Sequence, residues 1–257
     1  MSEHIVLERE AGLLTLRLNR LDKKNALTRD MYSSMAEALQ QADSDPAVRA
    51  LLITGGTECF TSGNDIADFL QAPPTSLDNP VFHFMRTLFE LKKPVVAAVA
   101  GPAVGIGTTL LLHCDLVYVS RDAQLRMPFV NLGLCPEFGS SLILPRLLGH
   151  AKAAELLLLG ESFGGEQAAA WGIANAVLED GVATLAKARA MALSFQRLAP
   201  SAVTDSKRLM RAPGREALRQ VIVEEGELFG QRLRSPEAIE ALSAFMQRRQ
   251  PDFSRFA

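Results

Sequence analysis

Residues 94–114 read Pro94-Val95-Val96-Ala97-Ala98-Val99-Ala100-Gly101-Pro102-Ala103-Val104-Gly105-Ile106-Gly107-Thr108-Thr109-Leu110-Leu111-Leu112-His113-Cys114, 21 residues without one Asp, Glu, Lys or Arg. A run of that length is long enough to cross a bilayer as a helix. Its punctuation argues otherwise. Pro94, Gly101, Pro102, Gly105 and Gly107 interrupt it, and lipid cannot satisfy the backbone groups that such residues release. The run divides instead into a strand at 95–100, a glycine turn at 101–107 and a short helix at 108–112. A helix that starts from a glycine turn aims its first N–H groups, and the positive end of its dipole, at whatever lies outside the turn. By spacing alone, this is either a tight strand-to-helix corner or a place where backbone N–H groups meet a ligand.

Strands and helices alternate on either side of that run. Residues 13–18 form a partly alternating strand. Thr28 offers an N-cap to a helix that carries Met31, Met35, Ala38, Leu39 and Ala42 at helical spacing, and Asp45-Pro46 ends it. A buried-type strand at 48–54 stops at Gly55-Gly56. Asn79-Pro80 opens a second helix with Val81, Met85, Leu88 and Phe89 on one face, and 116–120 is a further strand. The alternation predicts an α/β class. Past residue 140 the pattern turns helical, with helices at 151–159, 165–171, 182–198, 214–233 and 236–248 and one more strand at 174–178. The chain thus divides into an α/β core over 1–190 and a helical region over 191–257, of the kind that packs on a partner subunit. Pro73-Pro74-Thr75-Ser76 marks a surface loop.

The whole chain has 257 residues, 48% hydrophobic and 22% charged, with 27 Lys+Arg against 29 Asp+Glu. That is a globular composition, and it lacks the basic excess of a protein that coats nucleic acid or an anionic membrane. Cys59, Cys114 and Cys135 are odd in number and widely spaced, so neither a disulfide framework nor a metal site is expected. Met1-Ser2-Glu3-His4 opens no apolar signal segment, and Ser254-Arg255-Phe256-Ala257 lacks the peroxisomal address, so a cytoplasmic location is expected.

A second glycine turn, Phe60-Thr61-Ser62-Gly63-Asn64-Asp65-Ile66, follows the strand at 48–54 as 101–107 follows the strand at 95–100. Two N–H groups aimed from two strand ends at one point would stabilise a carbonyl oxygen that becomes an oxyanion. Ser140 and Ser141 follow Gly139, but no Gly-x-Ser-x-Gly elbow surrounds them, so they read as caps or turn residues.

In this order and spacing the motifs resemble the enoyl-CoA hydratase/isomerase (crotonase) superfamily, over nearly the whole chain. Asn19-Arg20-Leu21-Asp22-Lys23-Lys24-Asn25-Ala26-Leu27 resembles its N-terminal coenzyme A loop. Residues 60–66 and 101–107 resemble its two oxyanion-hole segments. Residues 149–160, 168–177 and 245–253 resemble its later helical signature and its C-terminal end. The resemblance implies a spiral of ββα units with C-terminal helices that support a homotrimer or a dimer of trimers. It implies a coenzyme A thioester as substrate and no separate cofactor. The thioester carbonyl would lie between the N–H groups of Asn64 and Ile106. Lys23, Lys24, Ala26, Ser62, Gly63, Asp65, Ile66, Gly105 and Phe129 fall on substrate- or coenzyme A-binding positions, and Asp65 also suits a backbone hydrogen bond that holds the first turn. Arg20 joins Lys23 and Lys24 in a basic cluster that suits either a solvated loop or coenzyme A phosphates. Arg248 and Arg249 offer the same from a neighbouring subunit.

The chain departs from the family's hydratases at their two glutamates, whose positions fall on Thr109 and Phe129. Hydration needs an activated water and a proton donor, and neither residue titrates usefully. One acid remains, Glu137, in Asn131-Leu132-Gly133-Leu134-Cys135-Pro136-Glu137-Phe138-Gly139-Ser140-Ser141. This segment is similar to the peroxisomal-type Δ3,Δ2-enoyl-CoA isomerase branch, where a glutamate in this place is the base. As an exposed acid after Pro136, Glu137 would merely suit the first turn of a helix. Burial beside Phe129, Leu134 and Phe138 would instead raise its pKa. The expectation is an isomerase that moves a 3-enoyl-CoA double bond to the 2-position. A hydratase-like or other acyl-CoA reaction is the alternative within the family, and a non-catalytic acyl-CoA-binding subunit is the alternative outside catalysis.

Overall fold

A computed structural model describes residues 2–74 and 76–256. In chain order it contains β1 Ile5–Glu10, β2 Leu13–Leu18, α1 Arg29–Ser44, β3 Ala50–Thr54, α2 Ile66–Gln71, α3 Pro80–Glu90, β4 Val95–Val99, β5 Pro102–Val104 and α4 Ile106–Thr109. Then come β6 Leu116–Ser120, β7 Gln124–Arg126, α5 Ser140–Leu148, α6 His150–Leu158, β8 Ser162–Gly164, α7 Gly165–Ala170 and β9 Ala176–Leu178. Four helices close the chain: α8 Gly181–Ser194, α9 Pro200–Arg211, α10 Arg215–Arg232 and α11 Pro236–Met246. The expected caps are in place, since Thr28 accepts from the Met31 amide and Asn79 from those of Val81 and Phe82.

One sheet runs β1-β2-β3-β4-β6-β9, parallel except for the β1/β2 hairpin. Its central strands bury both faces. Leu51, Ile53, Val95, Ala97 and Val99 point into the main core, while Leu52, Val96, Ala98 and Tyr118 pack against Ala188 and Ala192 of α8. A strand covered on both sides has no solvent face for a charge. That accounts for the first third of the uncharged run, and the rest of it is buried at Ala100, Ala103, Ile106, Thr108, Thr109, Leu110, Leu111 and His113. Among the described residues no helix is long and apolar enough to cross a membrane.

The segments that follow successive strands form a second ladder. Leu27 bridges Asn64, Thr61 bridges Ala103, and β5 pairs with β7, which pairs with β8. Each turn of the spiral therefore lays one strand in the large sheet and one short segment in this ladder. The expected turn at 101–107 contains β5, and the expected helix at 108–112 begins earlier, at Ile106, and continues as a 3-10 turn over Leu110–His113. Three elements past residue 140 go beyond the sequence expectation: α5, β8 and α9. Phe229, Leu233, Ala238 and Leu242 of the helical region share the main core cluster with β2–β4. The expected loop at Pro73-Pro74-Thr75-Ser76 falls partly on Thr75, outside the described residues; Pro73 and Ser76 are exposed and Pro74 is buried.

Candidate active site

The second ladder brings the two glycine turns side by side. The Thr61 amide donates to Pro102 O at 2.9 Å and the Val104 amide to Thr61 O at 3.0 Å. Asn64 and Ile106 each stand three residues beyond the Thr61–Ala103 bridge, on segments that run parallel at that bridge. Ile106 is the first residue of α4, so its N–H has no partner within the helix. Among the described residues, neither this N–H nor that of Asn64 donates to any other group. The glycines make the approach possible. Gly63 has φ +92°, and a Cβ there would lie 2.9 Å from Val104 O, while Gly105 has φ +58° at the N-cap of α4.

Side chains fix both turns. Asp65 caps α2 by accepting from the amides of Ala67 and Asp68, and its other oxygen meets Arg20 at 2.7 Å. Arg20 also donates to Ala26 O. Of the expected basic cluster, Arg20 is thus neutralised inside the loop, while Lys23 and Lys24 are exposed and have no ion pair among the described residues. The Ser62 amide donates to Lys24 O at 2.9 Å, which seats the lysine loop on the first glycine turn. Buried Asn25 pins that loop by donating to the carbonyls of Gly55, Cys59 and Phe60. Arg249 lies elsewhere, paired with Glu240 of α11.

Glu137 is 3% exposed, in the loop before α5. Thr109, one helical turn beyond Ile106 on α4, stands at its carboxyl. On another side is Tyr32 of α1, whose hydroxyl feels the Glu137 charge and donates to Asn64 Oδ1 at 2.5 Å. Thr109 thus relates the carboxyl to the helix that Ile106 begins, and Tyr32, whose proton affinity burial and the Glu137 charge raise, holds the Asn64 side chain. Burial drives its pKa up to about 8; the negative charge of Glu225 adds to the rise, and the Thr109 hydroxyl opposes it. Among the described residues, neither Glu137 Oε1 nor Thr109 Oγ1 has a hydrogen-bond partner.

The turn that presents Glu137 is strained. Phe138 has φ +56°, an unusual conformation for an aromatic residue, and Gly139 follows at φ +74°. His113 braces it. Its ring stacks on Phe138 with centroids 3.7 Å apart, and Nε2 lies 2.7 Å from Phe138 O. A carbonyl only accepts, so Nε2 carries the proton, and burial lowers the ring's pKa to about 3 and keeps it neutral. Phe129 is buried beside Gly105 and packs edge-on against Phe229, which packs edge-on against Phe69. Phe69, Phe229 and Phe129 therefore form a continuous aromatic wall that reaches Gly105.

The sequence profile of the enoyl-CoA hydratase/isomerase family matches residues 8–255. The chain belongs to that family. Its structure superposes on that of OdaA from Pseudomonas aeruginosa with a TM-score of 0.95 and 72% identity, covering 96% of this chain and all of that one. It is 35% identical to human enoyl-CoA delta isomerase 2 over 96% of its own length, and spans 64% of that protein. It is also 35% identical to 1,2-epoxyphenylacetyl-CoA isomerase of Escherichia coli, covering 99% of both chains. Relatives named as hydratases match as well.

Within the enoyl-CoA hydratase/isomerase fold, the sequence pointed to Asn64, Ile106 and Glu137 as candidates but not to the side chains that contact their segments. Tyr32 sits among the apolar positions of α1, His113 ends the uncharged run, and Glu225 is one of two adjacent acids in α10. None carries a local signal, because each meets its partner across 25 residues or more.

Proposed function

We propose that the protein isomerises 3-enoyl-CoA thioesters to 2-enoyl-CoA, with Glu137 as the only proton carrier and the N–H groups of Asn64 and Ile106 as an oxyanion hole. The observation that carries this reading is the buried Glu137 carboxyl, of raised proton affinity and with one oxygen unpartnered among the described residues, set against Thr109 of the helix that begins at the free Ile106 N–H. Ionised Glu137 removes a proton from C2, and the electrons move to the thioester oxygen between the two N–H groups. The 3,4 double bond becomes part of a dienolate. The same carboxyl returns its proton at C4, which leaves the double bond at 2,3. No water enters the cycle, and the wall of Phe69, Phe129 and Phe229 suits a dry site.

Hydration fits less well, since Thr109 and Phe129 supply neither an activated water nor a second acid. Exposed Lys23 and Lys24 suit the coenzyme A phosphates. Exposed Leu147, Leu158, Leu159, Leu209 and Met210 support assembly into a trimer or a dimer of trimers.

The test is the purified protein with a 3-enoyl-CoA, read by the absorbance of the conjugated thioester. Glu137→Gln is expected to lower kcat by about a thousandfold while thioester binding survives. Hydration of a 2-enoyl-CoA at a comparable rate, unchanged in Glu137→Gln, would sink the proposal. Binding without turnover of either substrate would favour a binding subunit.

A further inference from the structure

The Glu137 turn is held from a distant part of the chain. Glu225 of α10 is 7% exposed, and its two carboxylate oxygens accept from the backbone amides of Gly139 and Ser141, the latter at 3.0 Å. Those donors lie at the start of α5, whose N-terminal N–H groups lack partners within the helix. Burial raises the proton affinity of this carboxyl, and the hydrogen bonds from Ser141 and Gly139 oppose that rise by favouring its ionised form. Leu218 and Ile222, on the same helix, lie against Gly139; a Cβ on that glycine would come within 2.3 Å of Leu218 Cδ1. Phe229, one turn beyond Glu225, supplies the middle ring of the aromatic wall. One face of α10 therefore touches both the base's turn and the site's apolar wall.

We propose that Glu225 is a positioning residue for Glu137: its carboxylate clamps the Phe138-Gly139 turn through two backbone amides and brings a negative charge to bear on the Glu137 carboxyl. This rests on Glu137 being the proton carrier. The other polar groups that face Glu137 come from different elements: Thr109 from α4, Tyr32 from α1, and Cys135 from its own loop. None of them is a cation, so the Glu225 charge acts on Glu137 without a compensating positive partner in contact. Burial and the Glu225 charge both raise the proton affinity of Glu137. Lys207 and Arg211 act on His113 rather than on the carboxyl.

The experiment compares Glu225→Gln and Glu225→Asp with the unmodified enzyme, using a 3-enoyl-CoA across pH 5 to 9. Glu225→Gln keeps the shape, removes the charge and leaves one amide facing an NH2 group. It is expected to move the acid limb of kcat/KM to lower pH by about one unit, to lower the plateau kcat several-fold, and to leave KM little changed. Glu225→Asp retains the charge, so its limb stays near the original pH. The carboxyl titration of Glu137, read by 13C NMR against Glu137→Gln, gives the same shift without turnover and covers a variant too slow to assay. A folded Glu225→Gln with an unmoved limb and unchanged kcat would reduce Glu225 to a helix cap and overturn the proposal. An acid limb that moves upward would overturn it too. If instead Glu137→Gln retains full isomerisation, it is the assignment of the base that fails.

Discussion

A carboxyl that must take a proton from carbon works better as its proton affinity rises, up to the pH at which it is no longer ionised. Glu137 stands at that limit, with a pKa of about 8 set first by burial and then by Glu225. Below that pH it is protonated and cannot begin the cycle. The value of kcat/KM should therefore fall by about tenfold for each pH unit below 8 and level off above it. Thr109 supplies the opposing influence, because its hydroxyl lowers the proton affinity of Glu137. Thr109→Val keeps the shape and removes that hydroxyl, so the acid limb should move to higher pH by a fraction of a unit. Stability should change by less than about 1 kcal/mol, the usual net worth of a single hydroxyl contact. A pH–rate profile and a urea titration check the two halves. A limb that moves to lower pH would mean that the Thr109 hydroxyl does not favour the charged carboxylate.

At the scale of elements, the molecule divides by how much of each element's stability is local. Strands β3 and β4 are read directly from sequence because both faces are buried, and α1 and α3 because an apolar stripe follows a capping residue. The elements that escape are those whose support lies elsewhere. β5, β7 and β8 have three residues each, too few for a period of two to register. In α9 only Lys207 is buried, so no apolar face of it enters the core. Its anchor is ionic: Lys207 meets Asp115 at 2.6 Å and also donates to Lys93 O, and Arg211 meets the same carboxylate at 3.0 Å. The same division runs through the site. Asn64, Ile106 and Glu137 lie in motifs with a fixed spacing, whereas Tyr32, His113 and Glu225 contribute through tertiary contacts that no local pattern encodes. Lys207→Ala should destabilise the protein by about 3 kcal/mol, since it leaves a mostly buried carboxylate with one cation instead of two. A shift in the urea midpoint measures this. An unchanged midpoint would mean that α9 is held by something other than this pair.

For the molecule as a whole, two buried groups pull stability in opposite directions with pH. His113 has a folded pKa of about 3, below its unfolded value near 6.5, so it contributes stability that is lost as pH falls from about 6.5 toward 3. Glu137 has a folded pKa above its unfolded value. Its contribution is complete below about pH 4.5 and is lost as pH rises to about 8. Between about pH 4.5 and 6.5 the slopes of these two groups oppose and cancel each other. From 6.5 to 8 His113 no longer contributes, and the Glu137 slope lowers stability as the carboxyl ionises. Glu137→Gln removes that slope, so its melting temperature should exceed that of the unmodified protein at pH 8 and the gap should close at pH 5. A gap that stays constant with pH would show that ionisation of Glu137 is not what the fold resists. The group proposed to drive the reaction is thus one whose ionisation the fold opposes.

The brace on the Glu137 turn also sets an order of events during synthesis. Both glycine turns, the aromatic Phe129 and Glu137 itself leave the ribosome well before α10 does. Until Glu225 and Phe229 emerge, the Gly139 and Ser141 amides have no acceptor and the aromatic wall lacks its middle ring. A growing chain therefore carries the residue proposed as its proton carrier in an unbraced turn until α10 has been made.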